Sequence, residues 1–255
     1  MEKKTRKIAI VLGGSSGIGK ATAQRFAKEG WLVVIASPDL HQLECVRNTL
    51  DGEGHLSVEL DVRNDAHYLN LTRQLQAQGI HHFDALVNSI GISEHFDVLD
   101  KDFNAWNNAL EIMLYGTVRS CRTLVPLMRD GGRIIQITSI HYSRVEKGSS
   151  AYGMAKAAIT QFTRSLALEL APRNILANTI APGFIDTPMS VKNNGENELN
   201  TTWFHDNYIK YGHLPLKRAG HAKEIAGVAY FLAGPDASYI TGSVITVDGG
   251  LTITF

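Results

Sequence analysis

"KIAIVLGGSSGIGKATAQRFA", residues 7–27, decides the fold. An apolar run of strand length is followed by Gly13, Gly17 and Gly19 at G-x-x-x-G-x-G spacing, and then by a helical pattern. Glycine at such positions permits a tight turn and lets backbone N–H groups approach a pyrophosphate, whose charge the helix N-terminus favours. A glycine triplet alone is an ordinary turn. Strand, glycines and helix together in the first β-α-β unit read as a dinucleotide site, although the spacing departs from the usual G-x-G-x-x-G.

Outward from this unit, further strand-length apolar runs alternate with helical patterns: "WLVVIA" (31–36), "LSVEL" (56–60), "FDALVN" (83–88), "GRIIQIT" (132–138), "ILANTI" (175–180) and "SVITV" (243–247). They are continuously hydrophobic rather than alternating, as expected when helices cover both faces of a parallel sheet. The pattern predicts an α/β protein, a single-domain doubly wound (Rossmann) parallel sheet of seven strands with helices on both faces, spanning residues 1–255. No internal repeat or composition break divides the chain. Residues 189–213 are polar, Asn-rich and long for a connection; Trp203, Phe204, Tyr208 and Tyr211 among them suggest a partly helical lid over a substrate.

Composition excludes several function classes. The 255 residues are 44% hydrophobic and 20% charged, and 25 Lys and Arg balance 25 Asp and Glu, so no global field draws the chain to nucleic acid or an anionic membrane. No run approaches the roughly 18 apolar residues that a spanning helix needs, and "KIAIVL" is short for a signal h-region. Cys45 and Cys121 read as buried thiols of a reducing compartment, which points to a cytoplasmic protein. The 10 histidines form no zinc-like spacing, His81 and His82 being adjacent before a strand, so no metal site is expected.

"SAYGMAKAAITQF", residues 150–162, places Tyr152 and Lys156 on one face of a helix. A lysine ammonium near a tyrosine hydroxyl favours the phenolate and moves a group of ordinary pKa about 10 toward neutral pH, making an acid/base. Spacing alone also fits a structural tyrosine beside a snorkelling lysine. Ser139 stands thirteen positions before Tyr152, at the end of the fifth strand in "QITSIH", with Thr138 as its neighbour and competitor. No G-x-S-x-G elbow surrounds either residue, which counts against a hydrolase.

These segments together resemble the short-chain dehydrogenase/reductase superfamily over essentially the whole chain. The glycine loop is similar to the family's T-G-x-x-x-G-x-G with Leu12 in place of threonine, and "YGMAK" resembles its Y-x-x-x-K. "LDV" (60–62), "NSIG" (88–91), "APGFIDTP" (181–188) and "YITGSVITVDGG" (239–250) resemble the family's further motifs, with Ser89 and Ile90 replacing the middle of N-N-A-G. The resemblance implies reversible hydride transfer between a nicotinamide coenzyme and a carbonyl or secondary alcohol, with Ser139, Tyr152 and Lys156 as catalytic residues. It assigns coenzyme binding to Gly13, Ser15, Ser16, Gly17, Ile18, Gly19, Ser37, Asp61, Val62, Asn88, Gly91, Pro182, Gly183, Ile185 and Thr187, besides Tyr152 and Lys156. It also implies a homotetramer assembled through helices near 105–128 and 151–170.

Two positions depart from the pattern. In "AWNNALEIMLYGTV" Met113 replaces an asparagine that the resemblance links to a proton-relay water, partly through a backbone carbonyl that Met113 keeps. Asn107 and Asn108 lie too early to substitute for it. At the tip of the second strand, "ASPD", Ser37 stands where an NAD-selecting acid would fall and Pro38 where an NADP-selecting arginine would. Missing repulsion at Ser37 favours NADP(H) over NAD(H), and Asp39 reads either as a ribose ligand or as the N-cap of the next helix.

His141, Tyr142, His95 and Trp203 are the candidate substrate residues, and with the Asn-rich lid they suit a small hydroxylated molecule such as a sugar or polyol. A 3-oxoacyl-[acyl-carrier-protein] reductase and a non-catalytic nucleotide-binding homologue are the alternatives.

Overall fold

A computed structural model describes residues 6–93, 97–99, 102–192 and 194–254. Seven parallel strands form its central sheet, and their connections carry the helices. In chain order these are β1 (Ile8–Leu12), α1 (Gly17–Lys28), β2 (Leu32–Ser37), α2 (Leu40–Arg47), β3 (Leu56–Glu59), α3 (Asp65–Ala77) and β4 (Phe83–Asn88). The second half continues through α4 (Phe103–Leu110), α5 (Gly116–Leu124), β5 (Met128–Ile137), α6 (Ser150–Glu169) and β6 (Leu176–Pro182). After them come β7 (Ile185–Asp186), α7 (Thr202–Phe204), β8 (Gly220–His221), α8 (Ala222–Ala233) and β9 (Val244–Val247). The sheet order is β3-β2-β1-β4-β5-β6-β9, so the chain reverses direction between β1 and β4, the switch point of a doubly wound sheet.

The apolar runs are continuous because each strand feeds two cores. In β1, Ile10 and Leu12 join Leu71 and Leu75 of α3 and Leu124 of α5 on one face. Ala9 and Val11 face the other side and join Phe26 of α1, Leu43 of α2 and Ile225 and Leu232 of α8. A smaller cluster, Ala109, Met113, Ala151 and Ala155, joins α4 to α6 beside Tyr152. Small residues at these contacts let the helices approach closely.

The strand positions follow the sequence reading, with β5 beginning at Met128 rather than Gly132. Between α4 and α5 the helix loosens to π-type bonding over Glu111–Tyr115, a form often found at functional sites. Residues 189–213 are tethered at their base by the pairing of β7 with β8. Within them α7 runs on as a π-type helix over His205–Lys210, so the segment is partly helical. Cys45 corrects an expectation: it is exposed, because Leu43 and Val46 take the inward face of the short α2, whereas Cys121 is buried. Among the described residues no helix is long and apolar enough to cross a membrane.

Candidate active site

The C-terminal ends of the strands open on a cleft of about 500 Å³ that runs from the glycine loop to α6. At one end the loop folds tightly on itself. Gly13 has φ +74°, and a Cβ there would lie 2.5 Å from the Ser89 carbonyl oxygen. A Cβ on Gly19 would lie 2.0 Å from the Gly13 carbonyl oxygen, so only glycine lets α1 start this close to β1. Ser16, the N-cap of α1, makes no side-chain capping bond, and the first turn holds no acid. Free N–H groups and the positive end of the helix dipole therefore face the cleft, a fit for a diphosphate.

Ser15, Ser16, Gly17, Ile18, Ser37, Asp61, Val62, Gly91, Pro182, Gly183, Ile185 and Thr187 all line the cleft, as does Gly13. Gly19 and Asn88 lie behind its wall and shape it instead. The buried Asn88 amide donates to Thr117 Oγ1 at 2.9 Å and accepts from the Ile90 N–H at 3.1 Å, fixing the turn after β4. Asp39 is the N-cap of α2, its carboxylate accepting from the Gln42 N–H at 2.9 Å. Arg63 wraps Asp61, with its Nη2 2.7 Å from Asp61 Oδ2, and holds that carboxyl below its ordinary pKa. The Arg63 Nη1 reaches Asn108 Oδ1 at 3.0 Å, so Asn108 serves this end of the cleft and not the lysine.

At the other end Ser139, Tyr152 and Lys156 come together. Ser139 follows β5 directly, and α6 carries Tyr152 and Lys156 on the face turned to the cleft. Thr138 donates its hydroxyl to the Ile180 carbonyl at 2.9 Å, which leaves Ser139 as the neighbouring hydroxyl that acts on Tyr152. Lys156 is buried; its ammonium donates to the Ile137 carbonyl at 3.1 Å and the Ile90 carbonyl at 3.3 Å, and lies 5.4 Å from the centre of the Tyr152 ring. Burial lowers the Lys156 pKa to about 8. Burial also raises the Tyr152 hydroxyl above its ordinary value, opposed by the bond to Ser139. The expected lowering of the tyrosine is thus outweighed by desolvation.

The candidate substrate residues divide. His141 lines the cleft, its ring edge-on to Tyr152 at 5.6 Å between centroids and its Nε2 3.4 Å from Glu146 Oε2. Tyr142 lies off the cleft, because the turn Ile140–Tyr142 sends Ile140 into the core and His141 to the site. Trp203 is 58% exposed, since Phe204 and Tyr208 take the inward side of their helix against Phe184. His95 lies outside the described residues. Glu146, Phe184, Met189 and Glu198 line the cleft and were not foreseen from the sequence. They stand on irregular loops, where neither periodicity nor spacing marks a residue as inward.

Comparison with known proteins settles the lineage. The profile of the family described as enoyl-(acyl carrier protein) reductase, adh_short_C2, matches residues 13–252. The chain belongs to the short-chain dehydrogenase/reductase family. It is 32% identical to a 3-oxoacyl-[acyl-carrier-protein] reductase of Thermotoga maritima, over 97% of this chain and 98% of the relative. It is also 32% identical to a galactitol 2-dehydrogenase (L-tagatose-forming) of Cereibacter sphaeroides, covering 96% and 94%. The ligand-free aldohexose dehydrogenase of Thermoplasma acidophilum superposes with a TM-score of 0.83 at 30% identity, covering 98% of this chain and 95% of that one.

Within this family fold, Met113 is a packing residue. Its side chain is fully buried against Ala109, Ala151 and Ala155, and its carbonyl accepts from Thr117 Oγ1 at 2.7 Å. Met113→Asn should lower stability by about 2 kcal/mol, because it loses thioether packing and buries an amide among apolar neighbours. Chemical denaturation measures this; an unchanged midpoint would show that the amide finds partners. Asp39→Ala should cost about 1 kcal/mol of stability by uncapping α2 while leaving the ratio of NADH to NADPH affinity unaltered. A changed ratio would make Asp39 a ribose ligand.

Proposed function

We propose that the protein is a nicotinamide-dependent oxidoreductase interconverting a secondary alcohol and its carbonyl, with a small hydroxylated molecule such as a sugar or polyol as substrate. The observation that carries the reading is the meeting of Ser139, Tyr152 and Lys156 at one end of a cleft whose other end is an anion-binding glycine loop. When bound, the coenzyme supplies the hydride donor or acceptor. Gly13, Ser15, Ser16, Gly17 and Ile18 would hold its diphosphate, and Asp61 and Val62 its adenosine end.

The chain's own residues handle the proton. Tyr152, kept neutral by burial, gives its hydroxyl proton to the carbonyl oxygen during reduction and takes it back during oxidation. Ser139 hydrogen-bonds the same oxygen and orients Tyr152. Lys156, clamped by two carbonyls, presents a positive charge at the tyrosine ring. NADP(H) is the favoured coenzyme: Ser37 is neutral, and the nearby Asp39 carboxylate is taken up by its cap. A homotetramer would cover Tyr115, Met154 and Leu168, exposed on the helices that the family resemblance points to. Two free cysteines suit a reducing, cytoplasmic setting.

A second reading, reduction of 3-oxoacyl thioesters, draws support from the Thermotoga maritima relative. A panel of polyols, sugars and a 3-oxoacyl thioester separates the two.

Tyr152→Phe keeps the ring and removes the proton, so it should cut turnover by about 10³-fold or more while leaving coenzyme affinity within about twofold. Substantial remaining turnover would sink the assignment. Because the tyrosine's pKa is raised, its deprotonated form grows with pH throughout the neutral range, and kcat/KM for alcohol oxidation should still be climbing at about pH 8. A profile flat from about pH 6 upward would contradict a buried tyrosine base. Fluorescence titration should show NADPH binding more tightly than NADH, and the reverse order would return the coenzyme to NAD(H).

A further inference from the structure

The substrate end of the cleft carries an unbalanced negative charge. Glu146, on the loop between β5 and α6, and Glu198, on the turn Glu198–Asn200, both line it. Glu146 has an answering partner in His141 Nε2 at 3.4 Å. Glu198 has none: its side chain is partly buried, and among the described residues its carboxylate meets no hydrogen-bond donor and no cation at pairing distance. Lys192, the cation that acts on it from a distance, pairs with Glu196 at 4.0 Å.

Among the described residues, the cleft's cations do not neutralise this end. Lys156 is spent on two backbone carbonyls beneath Tyr152, and Arg63 lies at the opposite end wrapped around Asp61. Tyr152, Glu146 and Glu198 line the same cleft, and Glu146 raises the pKa of both Tyr152 and Glu198. His141 adds a buried Nδ1 that meets no partner among the described residues. If its other nitrogen carries the proton toward Glu146, this one is an acceptor.

A substrate that displaces water from a partly buried carboxylate lining a cleft must supply donors in its place. Hydroxyl groups do so without bringing charge, whereas a carboxylate or phosphate placed beside Glu198 would add like-charge repulsion to the same desolvation. We propose that Glu198 is the specificity-determining residue of this cleft: its carboxylate accepts hydrogen bonds from the hydroxyls of a neutral polyol or sugar and, with Glu146, rejects alcohols bearing a carboxylate or phosphate near the reacting carbon. The inference rests on the oxidoreductase reading above and narrows its substrate class to uncharged polyhydroxylated molecules.

The test uses the full chain with either coenzyme on matched pairs: galactitol and sorbitol against galactonate and gluconate. The native protein should favour the neutral member of each pair by roughly tenfold or more in kcat/KM. Glu198→Ala should raise KM for the polyols by roughly tenfold while kcat changes much less, since the lost bond is to a substrate hydroxyl other than the one that reacts. Glu198→Gln, which keeps the shape and removes the charge, and Glu198→Lys should progressively improve turnover of the acids. The inference is overturned if no polyol is turned over, if the native protein prefers the acids, or if KM and selectivity are unmoved in these variants. Failure of the underlying reading shows differently: the native protein would bind neither NADH nor NADPH, or Tyr152→Phe would keep its turnover.

Discussion

A buried ammonium must find acceptors, and Lys156 finds two in the main chain. Backbone carbonyls inside a parallel sheet are consumed by the ladder; those free to accept stand where strands end. The carbonyls of Ile90 and Ile137, just past β4 and at the end of β5, meet this condition, and α6 delivers the lysine to them. That bond ties the helix carrying Tyr152 to the two central strands. A lysine this deep loses proton affinity, and the tyrosine beside it gains it, for the same reason: burial penalises whichever form is charged.

The cleft is divided by charge as well as by shape. At the glycine loop, a helix N-terminus without a capping side chain or an acidic first turn offers N–H groups to an anion. At the far end Glu146 and Glu198 face the opening near the buried tyrosine. The glycine-loop end thus favours an anion, and the carboxylates at the far end would repel one. Between them, Met113 and its alanine neighbours form a dry wall behind Tyr152. This sharpens the electrostatics by excluding solvent.

Much of this was legible in the residues. The continuous apolar runs announced strands covered on both faces, and the two cores, drawing alternately on Ala9, Ile10, Val11 and Leu12, are the physical cause of that pattern. Helical spacing placed Tyr152 and Lys156 on one face. Local chemistry also offered the cap among the two readings of Asp39, because an aspartate bonds the backbone of its own helix with no help from distant chain. The misses share one cause. Cys45, Tyr142 and Trp203 were judged by residue type, whereas burial depends on which neighbour takes the inward side: Leu43 and Val46, Ile140 and His141, Phe204 and Tyr208.

By itself the sequence determined the seven-stranded doubly wound sheet, the glycine loop and the pairing of tyrosine with lysine, because each is written in short-range periodicity or in a conformation that only one residue type tolerates. Tertiary structure alone decided where the Lys156 charge is spent and that the Thr138 hydroxyl is taken up by the Ile180 carbonyl. It also decided that Glu146 and Glu198, more than fifty residues apart in the chain, stand at the same opening. Such choices depend on chain closure over long separations, which brings together loops whose own residues carry no period to reveal where they point.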